Sequence, residues 1–465
     1  MSQFGRDLTV GNIGRTLASL AVPIFLNYAL LSSYTIVNSL WIGNLLGEYG
    51  LAAVAVNFPI SMFLLVFFNS MGTSVSILIS HSFGAKNNAA IQTITNTAFP
   101  LVFVLAGVIC AAGVASSDLI VRAFNTPTEV RAMTSGYLKL TFVSYVVFAL
   151  CSLTLSIFRS VGNVKLPLLI TFLGVMINGI LDPLLIAGVG PFPKLGLNGA
   201  AFATIACNVV ILLAGFLYLR TKYSSSPISP KKFAFDRPII GNIMKLALPS
   251  FLQQTLMYVG TGLMTVFVNG FGIKAAAAYG TVGRIDAFAL IPAAAVLYAV
   301  MTVTAQHIGS NKATRVKDIF RWGLVVNTPV IACIALLVIA IPETVMRAFV
   351  RDPEIVTLGA HYFRLAGIGY LFYIPNFVAN GVVTAAKKPH VSLAISIFMI
   401  LFIRVPLAAL LIYSLGLSAL TAVAAATTLS LVVGTGMLVV YVTSWTRRHS
   451  LPHRGPSEAA VSSPQ

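Results

Sequence analysis

Apolar residues in this chain run in blocks of about twenty. Polar and charged residues are largely confined to the gaps between blocks. A helix rises about 1.5 Å per residue, so a block of that length crosses a hydrocarbon core of about 30 Å. Such blocks can be placed near 16–42, 51–79, 94–115, 134–158, 166–188, 197–219, 246–270, 275–305, 319–341, 358–386, 391–413 and 417–445. The pattern therefore predicts an all-α integral membrane protein with twelve spans. Gly, Lys and Pro mark several turns, as in Gly162-Asn163-Val164-Lys165-Leu166-Pro167 and Lys387-Lys388-Pro389.

The blocks divide six and six. Between the sixth and seventh lies a polar stretch, 223–238, rich in Ser and Pro, which reads as a linker. It separates an N-terminal lobe, 1–222, from a C-terminal lobe, 239–447, followed by a polar tail, 448–465. The two lobes echo one another. Leu20-Ala21-Val22-Pro23-Ile24-Phe25-Leu26 returns as Leu246-Ala247-Leu248-Pro249-Ser250-Phe251-Leu252. His81-Ser82-Phe83-Gly84-Ala85-Lys86-Asn87 returns as Gln306-His307-Ile308-Gly309-Ser310-Asn311-Lys312. An even number of spans per half gives both copies one orientation, a parallel repeat of the kind transporters place around a midplane site.

Composition agrees with a membrane solvent. The chain has 465 residues, 57% hydrophobic and 9% charged, where a soluble domain carries roughly 25% charged. The net charge of +18 would suit nucleic acid, but the Lys and Arg sit in short loops and at block ends. There they orient helices and meet anionic headgroups, so membrane lipid and not nucleic acid is the expected partner. The richer side carries Arg15, Lys86, Lys165, Lys312, Lys387 and Arg447; the poorer carries Arg122, Lys194, Lys274 and Arg351. The richer side is expected to be cytoplasmic, with both termini inside. The first block follows a polar leader and is too long for a signal-peptide core, so no cleaved signal is expected. Cys110, Cys151, Cys207 and Cys333 lie in apolar blocks and read as small core residues. No phosphate-binding Gly-x-x-x-x-Gly-Lys-Ser/Thr loop and no metal spacing among six His appear. The expectation is a protein without enzyme activity, cofactor or metal, driven by an ion gradient.

Of twelve acids, only Asp182 and Asp286 fall inside spans. A carboxylate at that depth is costly and marks a candidate site. Asn178 lies one helical turn before Asp182, so the two share a face, and Pro183 weakens the backbone ladder beside them. One reading makes Asp182 a fixed hydrogen-bond anchor; the other makes it a titrating or cation-binding group. Thr204 and Asn208 form another pair four apart, either oxygen ligands for Na⁺ or interhelical glue. In the second lobe Asp286 and Arg284 are two apart and do not face each other on a helix. Each is expected to pair elsewhere. Arg404 precedes Val405-Pro406, where a helix is readily broken. Gln254, Tyr258, Thr261 and Thr265 form a polar stripe on the seventh span; Tyr370, Tyr373, Asn376 and Asn380 form one on the tenth. Such stripes face protein or a water-filled cavity, so they either pack helices or line a substrate cavity.

The chain resembles the multidrug and toxic compound extrusion (MATE) family along nearly its whole length. The likeness is carried by Asp7-Leu8-Thr9-Val10-Gly11, Leu20-Ala21-Val22-Pro23, Gly43-Asn44-Leu45-Leu46-Gly47, Leu51-Ala52-Ala53-Val54 and Phe58-Pro59-Ile60. It continues through the Asn178–Pro183 stretch, Gly199-Ala200-Ala201-Phe202-Ala203-Thr204, and Gly283-Arg284-Ile285-Asp286-Ala287-Phe288 with Pro292. The resemblance implies a proton- or sodium-driven antiporter in the plasma (inner) membrane of a bacterium or archaeon, acting as a monomer. It implies export of small lipophilic, often cationic compounds by alternating access between two lobes. Asn178 and Asp182 match the family's pair on the fifth span, Pro23 the proline where its first span bends, and Thr204 a threonine near its cation site. Val37-Asn38-Ser39-Leu40-Trp41-Ile42-Gly43 matches the segment that usually carries an Asp. Position 38 here is Asn, which cannot titrate but can still coordinate a cation or donate a hydrogen bond. Two other readings remain open: a lipid or lipid-linked oligosaccharide flippase of the same superfamily, and a channel.

Overall fold

A computed structural model describes residues 5–221 and 233–450. Most of the expected linker, through residue 232, and the tail from 451 lie outside the described residues. The helices are α1 (Ile13–Gly84), α2 (Asn88–Ala123), α3 (Thr128–Ser160), α4 (Lys165–Ala187), α5 (Leu197–Thr221), α6 (Arg237–Asn269) and α7 (Ile273–Ala289). They continue as α8 (Ile291–Gly309), α9 (Val316–Ala340), α10 (Pro342–Arg347), α11 (Pro353–Ala385), α12 (Pro389–Ile397), α13 (Val405–Tyr413) and α14 (Ala419–Ser450). A π-helical turn, Phe398–Arg404, joins α12 to α13.

Among the described residues eleven helical stretches are long and apolar enough to span, where the pattern predicts twelve. The difference lies in α1. Its 72 residues would extend about 108 Å if straight, several bilayer cores. Gly47 breaks it with φ 61° and ψ −149°, a region open essentially to glycine alone. A β-carbon on Gly50 would lie 3.1 Å from the Ile42 side chain eight residues earlier, where a straight helix would separate them by about 12 Å. The chain therefore folds back at Gly47, and α1 is two spans. α7 and α8 form one span with a break at Leu290, just before Pro292. α12, the π turn and α13 form another.

Polar caps set several boundaries. The Asn12 side chain accepts from Arg15 N at the start of α1, and Asn87 accepts from Ala90 N at the start of α2. Asp236 and Asp352 cap α6 and α11, each with a proline in the first turn.

The two halves meet at one end and part toward the other. Every hydrogen bond and ring contact described between them, Phe233 aside, falls on a limited set of residues. Gln254 Nε2 donates to Ser70 Oγ at 3.2 Å, and Phe251 packs edge-on against Phe63 and Phe67. Tyr298 stacks on Tyr28 with 5.6 Å between centroids, and the Arg159 guanidinium lies 5.7 Å from the Tyr298 ring. The remainder forms a seal with approximate twofold symmetry. His81 Nε2 donates to the Ala385 carbonyl at 2.8 Å, while Gln306 Nε2 donates to the Ser160 carbonyl at 3.0 Å. These donors occupy equivalent positions in the repeated motif. Glycines bring the backbones together: a β-carbon on Gly84 would fall inside the backbone of Gln306, and one on Gly309 inside that of His81. The turns after both helices repeat as well, with Lys86 at φ 57° and Asn311 at φ 60°. The segment before α1 then ties the two halves. Arg6 N donates to Val161 O, Leu8 N to Gln306 Oε1, and Lys312 Nζ to Thr9 Oγ1. Leu8 itself is buried at the junction. None of the contacts described between the halves involves α4, α5 or α7. Those three helices lie away from the junction.

Candidate functional site

The buried positions of α4 are Pro167, Ile170, Thr171, Gly174, Asn178, Asp182 and Ile186. Their spacing of three and four residues is one helical face turned into the first lobe. Asn178 is 0% and Asp182 1% exposed. Both carboxylate oxygens of Asp182 and both amide heteroatoms of Asn178 have no hydrogen-bond partner among the described residues. Buried polar atoms are ordinarily satisfied, so four orphaned atoms on adjacent turns form a cluster of unmet acceptors and donors. Such a cluster fits a proton or a small hard cation. Na⁺ would find carboxylate and amide oxygens there, the ligand type hard cations take.

The neighbouring polar groups are already committed. Asn38 Nδ2 donates to Tyr34 Oη at 3.1 Å; Tyr34 Oη meets Thr204 Oγ1 at 2.9 Å; Thr204 Oγ1 donates to the Ala200 carbonyl at 2.9 Å. With the Thr204 proton on Ala200, Tyr34 must donate to Thr204, so the chain of donors runs in one direction. Asn38 and Thr204 thus share one hydrogen-bonded chain between α1 and α5, and neither bonds to Asp182. The element linking them, Tyr34, was not singled out in the sequence. Its one signal was the four-residue spacing to Asn38. Tyr34 and Tyr137 both lie within electrostatic reach of Asp182, and Tyr137 faces Asn57. Asn57 Nδ2 in turn donates to Thr141 Oγ1 at 3.1 Å.

α1 remains helical through Pro23. Pro23 borders a small cavity with Ile24, Asn27, Leu155, Arg159, Val164 and Pro167, so free space adjoins the residue where a bend is expected. Arg159, in the last turn of α3, reaches this cavity and the Tyr298 ring, and also donates to Ser156 Oγ at 2.7 Å.

In the second lobe Asp286 accepts from the Tyr370 hydroxyl, so its partner is on α11 and not at Arg284. Arg404 is buried at the end of the π turn and donates through Nε to Ser430 Oγ on α14 at 3.0 Å. Asp286 and Arg404 both act on Tyr279, Tyr362 and Tyr373, but no ion pair joins them. The two polar stripes do not share one surface. Gln254 reaches the first lobe, Tyr258 and Thr261 are exposed, and the Thr261 and Thr265 hydroxyls return to their own helix. Tyr370 and Tyr373 pack edge-on within the second lobe, and Asn376 donates to Thr435 on α14 at 3.1 Å. Asn380 knits Asn376 to Gln253 on α6. The seventh-span stripe lies on the side of α6 from which Gln254 reaches the first lobe, whereas the tenth-span stripe binds helices inside its own lobe.

Two repeated halves of membrane-spanning helices, with a carboxylate buried inside one of them, are the architecture of a multi-pass membrane transporter. The MatE family profile matches the chain twice, over residues 23–184 and 249–410. The chain belongs to the multidrug and toxic compound extrusion (MATE) family. The probable multidrug resistance protein YpnP of Bacillus subtilis is 29% identical over 407 residues, covering 87% of this chain and 89% of that protein. The FAD transporter of Shewanella oneidensis is 25% identical over 404 residues, covering 86% and 88%. A solved multidrug resistance MATE transporter in an outward-facing conformation superposes with a TM-score of 0.88 at 19% identity, covering 97% of this chain and 99% of the other.

Proposed function

We propose that this protein is a secondary active exporter. It exchanges small lipophilic compounds, lipophilic cations among them, for H⁺ or Na⁺ by alternating access. The observation that carries this reading is the pair Asn178–Asp182. Four buried polar atoms without partners sit in one wall of a two-lobed repeat. In the reading, a proton or Na⁺ from the open end neutralises Asp182. The first lobe then contracts as α1 bends near Pro23 into the adjoining cavity, and substrate leaves the cleft. The end sealed by His81 and Gln306 is the cytoplasmic one, supported by Lys86, Lys165, Lys312 and Lys387 in the loops beside it.

Proteoliposomes with separately imposed proton and sodium gradients test the reading. Wild type should move a lipophilic fluorescent dye against one of them, and Asp182→Asn should lose most gradient-driven exchange while remaining folded. Exchange by Asp182→Asn equal to wild type would exclude the role given to the carboxylate. A conductance in planar bilayers would favour a channel instead. Relatives of similar identity carry the names multidrug resistance protein and FAD transporter. Identity at this level does not choose the substrate; the lining of the cleft does.

A further inference from the structure

Arg284 is a cation at membrane depth that neither the coupling site nor the second-lobe polar network uses. Two phase relations fix where it points. First, the backbone ladder continues across the α7–α8 break: Leu290 N donates to Asp286 O at 3.1 Å, and Ala294 N to Leu290 O at 3.0 Å. The two helices therefore keep one phase. Tyr298 faces the first lobe, since it stacks on Tyr28. Arg284 lies fourteen residues earlier, about 3.9 turns, which returns it to within about 40° of the Tyr298 face. Second, α6 and α7 form a helical hairpin through residues 270–272. Tyr258 and Arg284 each lie twelve residues from the hinge and so at one depth. The bond from Gln254 to Ser70 shows that the Tyr258 stripe looks toward the first lobe.

The composition of the α7 surface agrees. Its exposed positions include Gly280, Gly283, Arg284, Ala287 and Phe288, opposite the buried Ala278, Val282 and Ile285. Glycine, alanine and arginine do not make a lipid face, and a charge at this depth faces water or protein. No hydrogen bond or ion pair holds Arg284 among the described residues. The two acids in the spans cannot serve it. Asp286 is about 200° around the helix and bonded to Tyr370, and Asp182 is enclosed in the other lobe. The cleft wall thus carries an unneutralised guanidinium, with Tyr258 at its level and Phe288 one turn away. A guanidinium pairs with carboxylate or phosphate through two parallel N–H groups, and aromatic faces take a flat apolar body.

We propose that Arg284, Tyr258 and Phe288 form a substrate subsite for the anionic group of an aromatic compound. Arg284 is then a specificity residue that admits aromatic anions and zwitterions to the cleft. The proposal rests on the exporter reading for its direction of transport, but not for binding. The test uses the full chain in lipid nanodiscs with two fluorescent probes of similar size: a carboxyfluorescein-type anion and an ethidium-type cation. Anisotropy titration should show wild type binding the anion. Arg284→Gln should weaken that binding about tenfold or more, Arg284→Lys should restore part of it, and added salt should weaken wild type more than Arg284→Gln. Affinity for the cation should hold or rise in Arg284→Gln. The proposal is overturned if wild type binds no anion, or if Arg284→Gln binds it as tightly as wild type. Efflux from proteoliposomes separates the two readings. Gradient-driven movement of the cation alone would leave the exporter standing without this subsite. Arg284-dependent anion binding with no gradient-driven movement of either probe would leave the subsite standing without the exporter.

Discussion

At the scale of single residues, the first-lobe site is a buried acid beside a hydrogen-bonded chain that holds back from it. Tyr34 accepts from Asn38 and donates to Thr204. Removing its hydroxyl leaves both partners without their bond, at about 1 kcal/mol each. Tyr34→Phe and Thr204→Val should each lower thermal stability in detergent. The double variant should lose less than the sum, with an interaction energy of about 1 kcal/mol, because the two groups share one bond. Strict additivity would show that the chain does not act as a unit. The visibility of these residues in the sequence differed for a physical reason. Asp182 stood out because a carboxylate is foreign to an apolar run. Tyr34 did not, because tyrosine is at home in a membrane helix and declares its role only through the partner its hydroxyl finds. The contact of Arg159 left no mark in the sequence for a related reason: its long stem lets the charge reach inward from a helix end to the ring of Tyr298.

At the scale of elements, the segment before α1 acts as a clasp on the sealed end. Asp7 Oδ1 accepts from Thr9 N at 2.9 Å and Thr9 Oγ1 at 2.7 Å, and Thr9 in turn meets Lys312. Partial burial raises the Asp7 carboxyl's pKa, but the Thr9 bonds together with Lys312 and Lys86 outweigh it and hold the group below its ordinary 3.8. A lowered folded value means that the ionised form is the one the fold favours. Its contribution is present above the unfolded value and is lost as pH falls through the folded one. Between pH 5 and 8 Asp7 should therefore give no pH dependence. Asp7→Asn should melt at a lower temperature than wild type at pH 7, and the gap should narrow as pH falls below the carboxyl's ordinary value. Melting curves against pH in detergent check this, and a gap that stays constant into the acid range would contradict it. Most elements were legible, since blocks of twenty apolar residues leave few alternatives to spanning helices. The reversal at Gly47 was legible as a gap between blocks, but its geometry was not, because φ and ψ leave no mark on hydropathy. The π turn at Phe398–Arg404 was foreshadowed only by Pro406.

At the scale of the whole molecule, the halves are held by a seal that repeats under approximate twofold symmetry. His81 contributes one bond across it and Gln306 two, the second accepted from Leu8 N, about 3 kcal/mol together. His81→Phe with Gln306→Leu should shift the population away from the sealed state by roughly a hundredfold. Accessibility of a cysteine at position 70 to a polar reagent from the sealed side, in a variant without the native cysteines, should rise accordingly. Unchanged labelling would show that the glycine-mediated contacts alone hold the seal. The repeat of the motif at 81–87 and 306–312 was readable, yet its placement face to face was not. Two copies of a sequence say nothing of the contact between them.

The seal also sets an unequal tolerance to genetic drift. Its acceptors are main-chain carbonyls of Ser160 and Ala385, which any residue supplies equally well. Its donors are side chains, and its close approaches demand glycine. A saturation library selected for transport should accept many residues at 160 and 385 within their steric limits. It should hold 84 and 309 to glycine, 81 to a residue that carries an N–H, and 306 to one that carries both an N–H and an acceptor for Leu8 N. The gate would then be encoded on one side of each contact only, leaving the opposite side free to change as the two halves diverge.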